Sequence, residues 1–203
     1  MTPFRVVVAD PPWSFGDALT MSAVRRGAES HYATLPLSEL CALPVASCCE
    51  PDAVLVLWRP SSLARDALTL MDAWGFRQTQ EVVWYKASPE SVAFGMGRLF
   101  RAAKEVAFVG VRGSPYAHLR DRAVRDVFVH PRLPHSQKPE VVQDALDAMF
   151  PEGERLELFA RRVRPRWCCV GLESPATAGL DMREVLPEFA RRIRDASFMR
   201  AHS

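Results

Sequence analysis

Apolar runs and amphipathic stretches alternate along the chain, and their periods predict strands and helices in turn. Phe4–Ala9 (FRVVVA) is apolar apart from Arg5, and Ala53–Trp58 (AVLVLW) is apolar throughout, which is typical of strands buried on both faces of a sheet. Between Ser62 and Trp74 the apolar residues recur at helical spacing, and Gly75 follows where a helix would end. The polar stretch from Asp10 to about Pro36 predicts a long loop.

The same patterns continue to the C-terminus and predict an α/β fold with helices on both faces of one sheet. Further strands are predicted at Glu81–Tyr85, Glu105–Val111, Asp126–His130, Leu156–Phe159 and Trp167–Leu172, and further helices at Leu37–Cys49, Pro139–Phe150 and Asp181–Arg194. Ligands of such folds bind beyond the carboxyl ends of the strands. The chemistry is therefore expected in the loops after Ala9, Tyr85, His130 and Phe159.

Composition narrows the class of protein. The chain has 203 residues, of which 48% are hydrophobic and 25% charged, as expected for one globular domain with a substantial core. The net charge of +2 is low for a non-specific nucleic-acid binder. The arginines are clustered, however, and each cluster is either a phosphate contact or a solvated surface. The first comprises Arg112, Arg120, Arg122, Arg125 and Arg132, and the second Arg161, Arg162, Arg164 and Arg166.

The five cysteines show neither a zinc-binding spacing nor a disulfide framework. Two pairs are adjacent, Cys48–Cys49 and Cys168–Cys169, and all five are expected to be small buried hydrophobes in a reducing cytoplasm. We expect no signal peptide, no membrane span and no bound metal.

Asp10-Pro11-Pro12-Trp13, directly after the first strand, is the most specific chemical signal. The motif suits an enzyme that methylates an amino group, such as N6 of adenine. The lone pair of that amine is delocalised into the ring, so the nitrogen is a poor nucleophile. A carboxylate and a backbone carbonyl, from Asp10 and Pro11, can each accept one N6 hydrogen and free that lone pair for attack on a methyl group. The two prolines hold the carbonyl still, and Trp13 offers a surface on which an extruded base can stack. The structural alternative is a stiff turn with Trp13 in the core.

The ordered set of motifs in this chain resembles the MT-A-type family of adenine methyltransferases. The matching segments cover roughly Arg5 to Glu173 and are VVVADPPWSFG, HYATLPLSELCALPV, AVLVLW, DAWGFRQTQEVVWYK, KEVAFVGVRG, HSQKPEVV and ERLELFARRVRPRW. The resemblance implies a Rossmann-like methyltransferase fold with a mixed, mostly parallel sheet. It also implies that the protein uses S-adenosyl-L-methionine to methylate N6 of adenine in a nucleic acid.

The resemblance also implies roles for individual residues. Asp10, Pro11, Pro12 and Trp13 form the catalytic loop; Trp13, Tyr32, Lys86 and Glu105 contact the target adenine; and Asp10, Ser136, Lys138, Glu157, Leu158, Arg161 and Glu173 bind the cofactor. Lys138 and Asp10 supply the cation and anion that a zwitterionic methionine end needs. The family's asparagine near the cofactor is replaced by Leu172, which leaves the cofactor affinity open. Without the resemblance, Lys138 and Arg161 would be read as exposed surface residues.

Several readings remain open. The enzyme could instead methylate cytosine N4, the chain could be an inactive nucleic-acid-binding subunit, or it could be an α/β interaction domain. The absence of G-x-G-x-x-G argues against a dinucleotide oxidoreductase. We expect a methyltransferase domain at 1–173 with a helical tail at 174–203, acting on nucleic acid, with DNA favoured over RNA. A homodimer or heterodimer is compatible with the sequence.

Overall fold

One sheet of seven strands forms the frame of the computed structural model, which describes residues 1–14, 34–95, 97, 99–134, 137–177 and 180–201. Within these residues the strands are β1 (Phe4–Ala9), β2 (Cys49–Arg59), β3 (Arg77–Lys86), β4 (Lys104–Arg112), β5 (Val127–His130), β6 (Glu154–Leu158) and β7 (Trp167–Val170). Their order is β5-β3-β4-β2-β1-β6-β7, and only β4 among them runs antiparallel to its neighbours. The mixed, mostly parallel α/β sheet predicted from the sequence is therefore confirmed.

Helices cover both faces of this sheet. They are α1 (Leu37–Ala42), α2 (Val45–Cys48), α3 (Ala64–Ala73), α4 (Val141–Met149) and α5 (Met182–Ala201). Residues of α1, α2, α3 and α5 share one hydrophobic cluster, whereas α4 packs into a second cluster on the other face. The sheet therefore has a core on each side.

The apolar runs of β1 and β2 supply both cores because successive side chains point to opposite faces. Val6 and Val8 face α4, while Val7 and Ala9 face the other helices. All four side chains are at most 2% exposed. A strand buried on both faces has no polar alternation, which explains why these segments read as continuous apolar runs.

The reversed strand β4 brings its first residues, rather than its last, to the carboxyl edge of the parallel strands. Glu105 therefore lies at the same edge as Asp10 at the end of β1 and Lys86 at the end of β3. Three distant parts of the sequence thus meet at one edge of the sheet.

Two predicted helices differ from the observed ones. The helix expected over Leu37–Cys49 is divided at Leu43 and Pro44, because a residue before proline is disfavoured in the helical region. The last helix extends to Ala201, and its residues Leu186 and Ala190 are buried in the main core. Most of the long polar loop, residues 15–33, lies outside the described residues.

None of the described helices has the length and apolar character needed to cross a membrane.

Candidate active site

Asp10 follows the last residue of the central strand β1, and backbone hydrogen bonds shape the loop around it. The amide of Trp13 donates to the carbonyl of Pro11 at 2.8 Å, and the amide of Leu35 donates to the carbonyl of Pro12 at 2.9 Å. The first bond closes a three-residue turn. It occupies one lone pair of the carbonyl that was predicted to accept an N6 hydrogen, and a carbonyl oxygen has two. The loop is therefore held at two consecutive carbonyls.

Four charged side chains form an alternating chain across this edge of the sheet. The Lys138 ammonium lies 2.7 Å from Oδ2 of Asp10 and 3.2 Å from Oε2 of Glu105. Oε1 of Glu105 in turn accepts a hydrogen bond from the Lys86 ammonium. The order Asp10, Lys138, Glu105, Lys86 joins four residues that the resemblance had assigned to the site.

Burial strengthens these interactions, because charges screened from water attract each other more strongly. Burial alone would raise the pKa of Glu105, but the ammonium groups of Lys138 and Lys86 outweigh it and lower that pKa. Burial alone would likewise lower the pKa of Lys138, but Asp10 and Glu105 outweigh it and raise that pKa. Both groups are therefore charged at neutral pH.

Trp13 does not present a stacking surface in this structure, which corrects the role expected from the sequence. Its side chain is 6% exposed and belongs to the main hydrophobic core. Its indole N–H donates to the carbonyl of Trp58 at 3.0 Å. Burying a large aromatic ring is favourable, and the indole N–H finds an acceptor inside the core. Trp13 therefore anchors the loop, as in the structural alternative.

A first pocket opens beside Asp10 on the α4 side of the edge, where Lys138, Glu157 and Arg161 line it. Glu157 Oε2 and Gln143 Oε1 are buried there and have no hydrogen-bond partner among the described residues. Burial raises the pKa of Glu157 despite the nearby Arg162. Buried polar atoms without partners are uncommon in native structures, so these oxygens indicate a place for a polar ligand.

A second pocket lies on the α5 side of the same edge and is largely apolar. Leu35, Leu172 and Met182 line it, together with the polar residues Glu173 and Asp181. Asp10, Phe159 and Arg161 line both pockets. The two pockets therefore form adjoining parts of one trough that passes Asp10.

The backbone at the end of β6 is strained where it borders this trough. Phe159 has a φ of 60°, in the left-handed region that side chains other than glycine rarely adopt. The neighbouring strand end allows a close approach, because a Cβ on Gly171 would lie 2.2 Å from the carbonyl oxygen of Ala160. Such strain is typical of functional sites, where the surrounding structure maintains it.

The second arginine cluster is mainly structural. Arg164 contacts Glu140 at 2.8 Å, Asp144 at 2.5 Å and Asp147 at 2.9 Å, all on or next to α4. Arg162 also pairs with Glu140, at 3.0 Å. These two arginines tie the loop after β6 to α4, while Arg161 lines the trough.

The structure brings together most of the predicted site. Asp10, Lys86, Glu105 and Lys138 form the ionic chain, and Glu157, Arg161 and Glu173 line the trough. Leu158 lines the first pocket, but it is 1% exposed and belongs to the core on the other face of the sheet. Tyr32 and Ser136 lie outside the described residues. No group of side chains suited to a metal ion occurs in the described part of the chain.

Sequence reasoning did not identify Gln143 or Asp181. Gln143 is 1% exposed on a helix whose other buried residues are apolar. A polar residue on the apolar face of a predicted helix was the available signal. Asp181 was taken as the start of the last helix, and only the fold brings that start to the trough.

Comparison with known proteins assigns this arrangement to a family. The MT-A70 family matches residues 4–173, which is most of the chain. The chain belongs to the MT-A70 family. The Rossmann-like methyltransferase fold that the resemblance implied is thereby confirmed.

Individual relatives fall into two groups by length. The chain is 32% identical to the Type II methyltransferase M.MunI of Mycoplasma sp. over 187 residues, covering 85% of this chain and 78% of that protein. It is 30% identical to the N(6)-adenosine-methyltransferase subunit METTL3 of Danio rerio over 200 residues. That match covers 95% of this chain but 31% of METTL3. The chain thus spans about a third of the METTL3 relatives.

Proposed function

We propose that this MT-A70 protein transfers a methyl group from S-adenosylmethionine to N6 of adenine in DNA. The observation that carries the proposal is the pairing of Asp10 with Lys138, at 2.7 Å, in a trough with buried acceptors on one side and apolar walls on the other. The pairing holds a carboxylate at the end of the central strand, where ligands of α/β sheets bind.

The trough fits the proposed cofactor. Lys138 and Asp10 carry the charges that complement a methionine carboxylate and ammonium. Glu157 has a buried oxygen without a partner, as needed for a ribose hydroxyl, and Arg161 lies in the same pocket. Leu172 and Met182 supply apolar surface for an adenine ring. When bound, S-adenosylmethionine supplies an electrophilic methyl group on its sulfonium.

The residues of the chain prepare the amine for attack. The Asp10 carboxylate accepts one N6 hydrogen, and the remaining lone pair of the Pro11 carbonyl accepts the other. This draws the nitrogen toward tetrahedral geometry and directs its lone pair at the methyl group. The fixed acceptors stabilise the positive charge that develops on nitrogen, and the product ammonium then releases a proton to water.

Lys86 and Glu105 are proposed to lie against the target adenine. The Lys86 ammonium lies 4.5 Å from the centre of the Trp84 ring, and its contact with Glu105 keeps it beside Lys138. This side of the ionic chain faces away from the cofactor trough along the sheet, because β3 and β4 lie on the opposite side of β1 from β6. The order of the strands thus supports separate places for cofactor and base.

DNA is proposed as the substrate because of the relatives' lengths. The chain covers most of the Type II methyltransferase but only about a third of the METTL3 relative, whose name specifies adenosine, the ribonucleoside.

We also propose a cytoplasmic location. All five cysteines are free, and burial raises the pKa of each thiol. Free thiols are typical of a reducing compartment.

The deciding experiment supplies the chain with isotopically labelled S-adenosylmethionine and either unmethylated plasmid DNA or transcribed RNA. Nucleoside mass spectrometry is expected to find N6-methyladenine in DNA. Label in the RNA alone would overturn the choice of DNA, and N4-methylcytosine would identify the other amino-methyltransferase activity. Cofactor binding by calorimetry without transfer would indicate an inactive subunit, and no binding would indicate an interaction domain.

A further inference from the structure

Residues 87–103 connect β3 to β4, and the part of them that the structure describes forms a hairpin that begins next to the active-site residue Lys86 and ends beside Glu105. Its two arms are paired, since the amide of Gly95 donates to the carbonyl of Ala102 at 2.8 Å and the amide of Ala102 donates back at 3.3 Å. The amide of Ala93 also donates to the carbonyl of Lys86 at 2.8 Å. The hairpin is therefore attached directly to the strand that carries Lys86.

The tip of this hairpin exposes large apolar side chains. Leu99 is 93% exposed, Phe100 is 87% exposed and Phe94 is 74% exposed. The tip is also tight, because a Cβ on Gly97 would lie 1.8 Å from the carbonyl oxygen of Phe100. Exposed apolar groups that are adjacent to each other generally mark a binding surface.

Cationic groups accompany these apolar side chains. Among the described residues from Ala87 to Lys104, Arg101 and Lys104 are basic and Glu90 is acidic. The guanidinium of Arg101 lies 4.9 Å from the centre of the Phe94 ring, and Arg101 and Lys104 are both exposed. This combination matches the chemistry of a nucleic acid, in which apolar bases lie between strands of phosphates.

We infer that the hairpin tip is a wedge that enters the base stack of a DNA duplex beside the target adenine. In a paired duplex the N6 amine cannot reach Asp10 unless the nucleotide is extruded. Apolar side chains inserted between base steps separate them, and they can occupy the space that an extruded base leaves. Leu99 and Phe100 are the side chains placed to do this, while the exposed residues Arg101, next to the tip in the chain, and Lys104, at the base of the hairpin, are available to contact phosphates.

This inference rests on the proposed function and adds how a duplex is opened. It makes the hairpin necessary for duplex DNA and dispensable for single strands, whose bases are already accessible. The double variant L99S/F100S removes the apolar tip. The matched control is Val92→Ser, because Val92 is 54% exposed in the separate short turn that pairs it with Ala87, away from the tip.

Methylation is measured on unmethylated plasmid DNA and on the same plasmid after heat denaturation, so no recognition sequence need be known. We expect L99S/F100S to lose at least about tenfold in rate on the duplex and to match the wild type on the denatured strands. Val92→Ser should match the wild type on both. An equal loss on both substrates, or no loss on the duplex, would overturn the wedge.

A second measurement does not depend on methyl transfer. Insertion between base steps unwinds DNA, so plasmid relaxed by topoisomerase in the presence of the wild type should show a shifted linking number, and L99S/F100S should abolish that shift. A wild type that shifts the linking number but methylates nothing would contradict the proposed function and retain the wedge. No shift with the wild type would overturn the wedge. Sedimentation gives a further test: if the wild type is a dimer and L99S/F100S is not, the tip contacts a second copy and the wedge is overturned.

Discussion

The Lys138 ammonium lies 2.7 Å from the Asp10 carboxylate, although 128 positions separate the two residues in the sequence. Lys138 precedes α4, whereas Asp10 follows β1, so the contact depends on the order of the strands. The same ammonium reaches Glu105 at 3.2 Å. The pairing therefore joins three segments at the point where the chemistry is proposed.

Asp10→Asn is expected to abolish methyl transfer and leave the fold intact. An amide keeps the shape of the carboxylate but loses its charge and can present a donor to the N6 hydrogens. Loss of one preorganised electrostatic group of this kind costs roughly 2.7–4 kcal/mol, or two to three decades in rate. The measurement is the single-turnover rate, with circular dichroism to verify the fold. The control is Asp72→Asn, because Asp72 is exposed in the last turn of α3. Near-normal turnover by Asp10→Asn would contradict the catalytic role.

Lys138→Ala is expected to weaken the binding of both S-adenosylmethionine and S-adenosylhomocysteine. The expected loss is about 1.5–3 kcal/mol, the contribution of a hydrogen bond to a charged group. Both ligands carry the methionine carboxylate, whereas adenosine does not. Calorimetry with the three ligands tests this, because adenosine binding should barely change. Equal weakening of adenosine would show that the substitution damages the pocket in general.

Trp13→Ala is expected to act mainly on stability. The side chain is buried, and removing a buried tryptophan typically costs about 3–5 kcal/mol. Trp13→Phe keeps most of the ring but removes the hydrogen bond to the Trp58 carbonyl, a loss of about 1 kcal/mol. Urea unfolding of the two variants measures both terms. An unchanged unfolding midpoint for Trp13→Ala, together with slower methylation, would restore the stacking role.

Glu157→Gln is expected to raise the unfolding temperature by a few degrees at neutral pH and to weaken the binding of the cofactor. Burial raises the pKa of Glu157 in the folded chain. Glu157 therefore holds its proton more tightly in the folded state than in the unfolded state. As the pH rises above the pKa of Glu157 in the unfolded chain, its ionisation opposes folding. Glutamine removes this cost of ionisation. Its neutral side chain has one acceptor oxygen in place of the two of a carboxylate, so it binds the cofactor less well. Thermal scans at pH 4 and pH 7 should show the stabilisation at pH 7 only.

Glu105→Gln is expected to have the opposite pH dependence. The lowered pKa of Glu105 means that its ionised form stabilises the fold above the unfolded pKa, and that this contribution is lost as the pH falls through the folded pKa. The variant should therefore be destabilised at pH 7 and lose less stability than the wild type on acidification. Glu152→Gln is the control, because its contact with Arg120 is exposed and such pairs contribute little. Parallel acid dependence in Glu105→Gln and the wild type would exclude this role.

The sequence predicted the strands better than the contacts between them. The apolar run predicts β1 with the bounds observed, Phe4–Ala9, because its residues other than Arg5 are buried against the two cores. It could not show that β4 runs antiparallel, since both directions give the same pattern. Glu105 was accordingly placed in the site by resemblance, and only the strand direction explains its contact with Lys86 and Lys138.

Side chains with two plausible roles were the other limit of the sequence. Trp13 has a ring suited to stacking and equally to burial, and local spacing does not distinguish the two. The choice depends on whether the Trp58 carbonyl is near enough to accept the indole N–H, which is a property of the fold. Gln143 is a similar case, because its burial follows from the packing of α4 on the sheet.

The direction of β4 also affects how the proposed nucleic-acid contact can change during evolution. Parallel neighbours need a crossover that leaves the edge and returns from the far side, whereas the antiparallel pair β3 and β4 needs only a hairpin. Residues 87–103 therefore begin and end at the active edge, and those that the structure describes belong to neither core. We therefore expect their length and composition to vary without disturbing strand register, which would make this segment an exchangeable module through which one catalytic framework acquires different substrates.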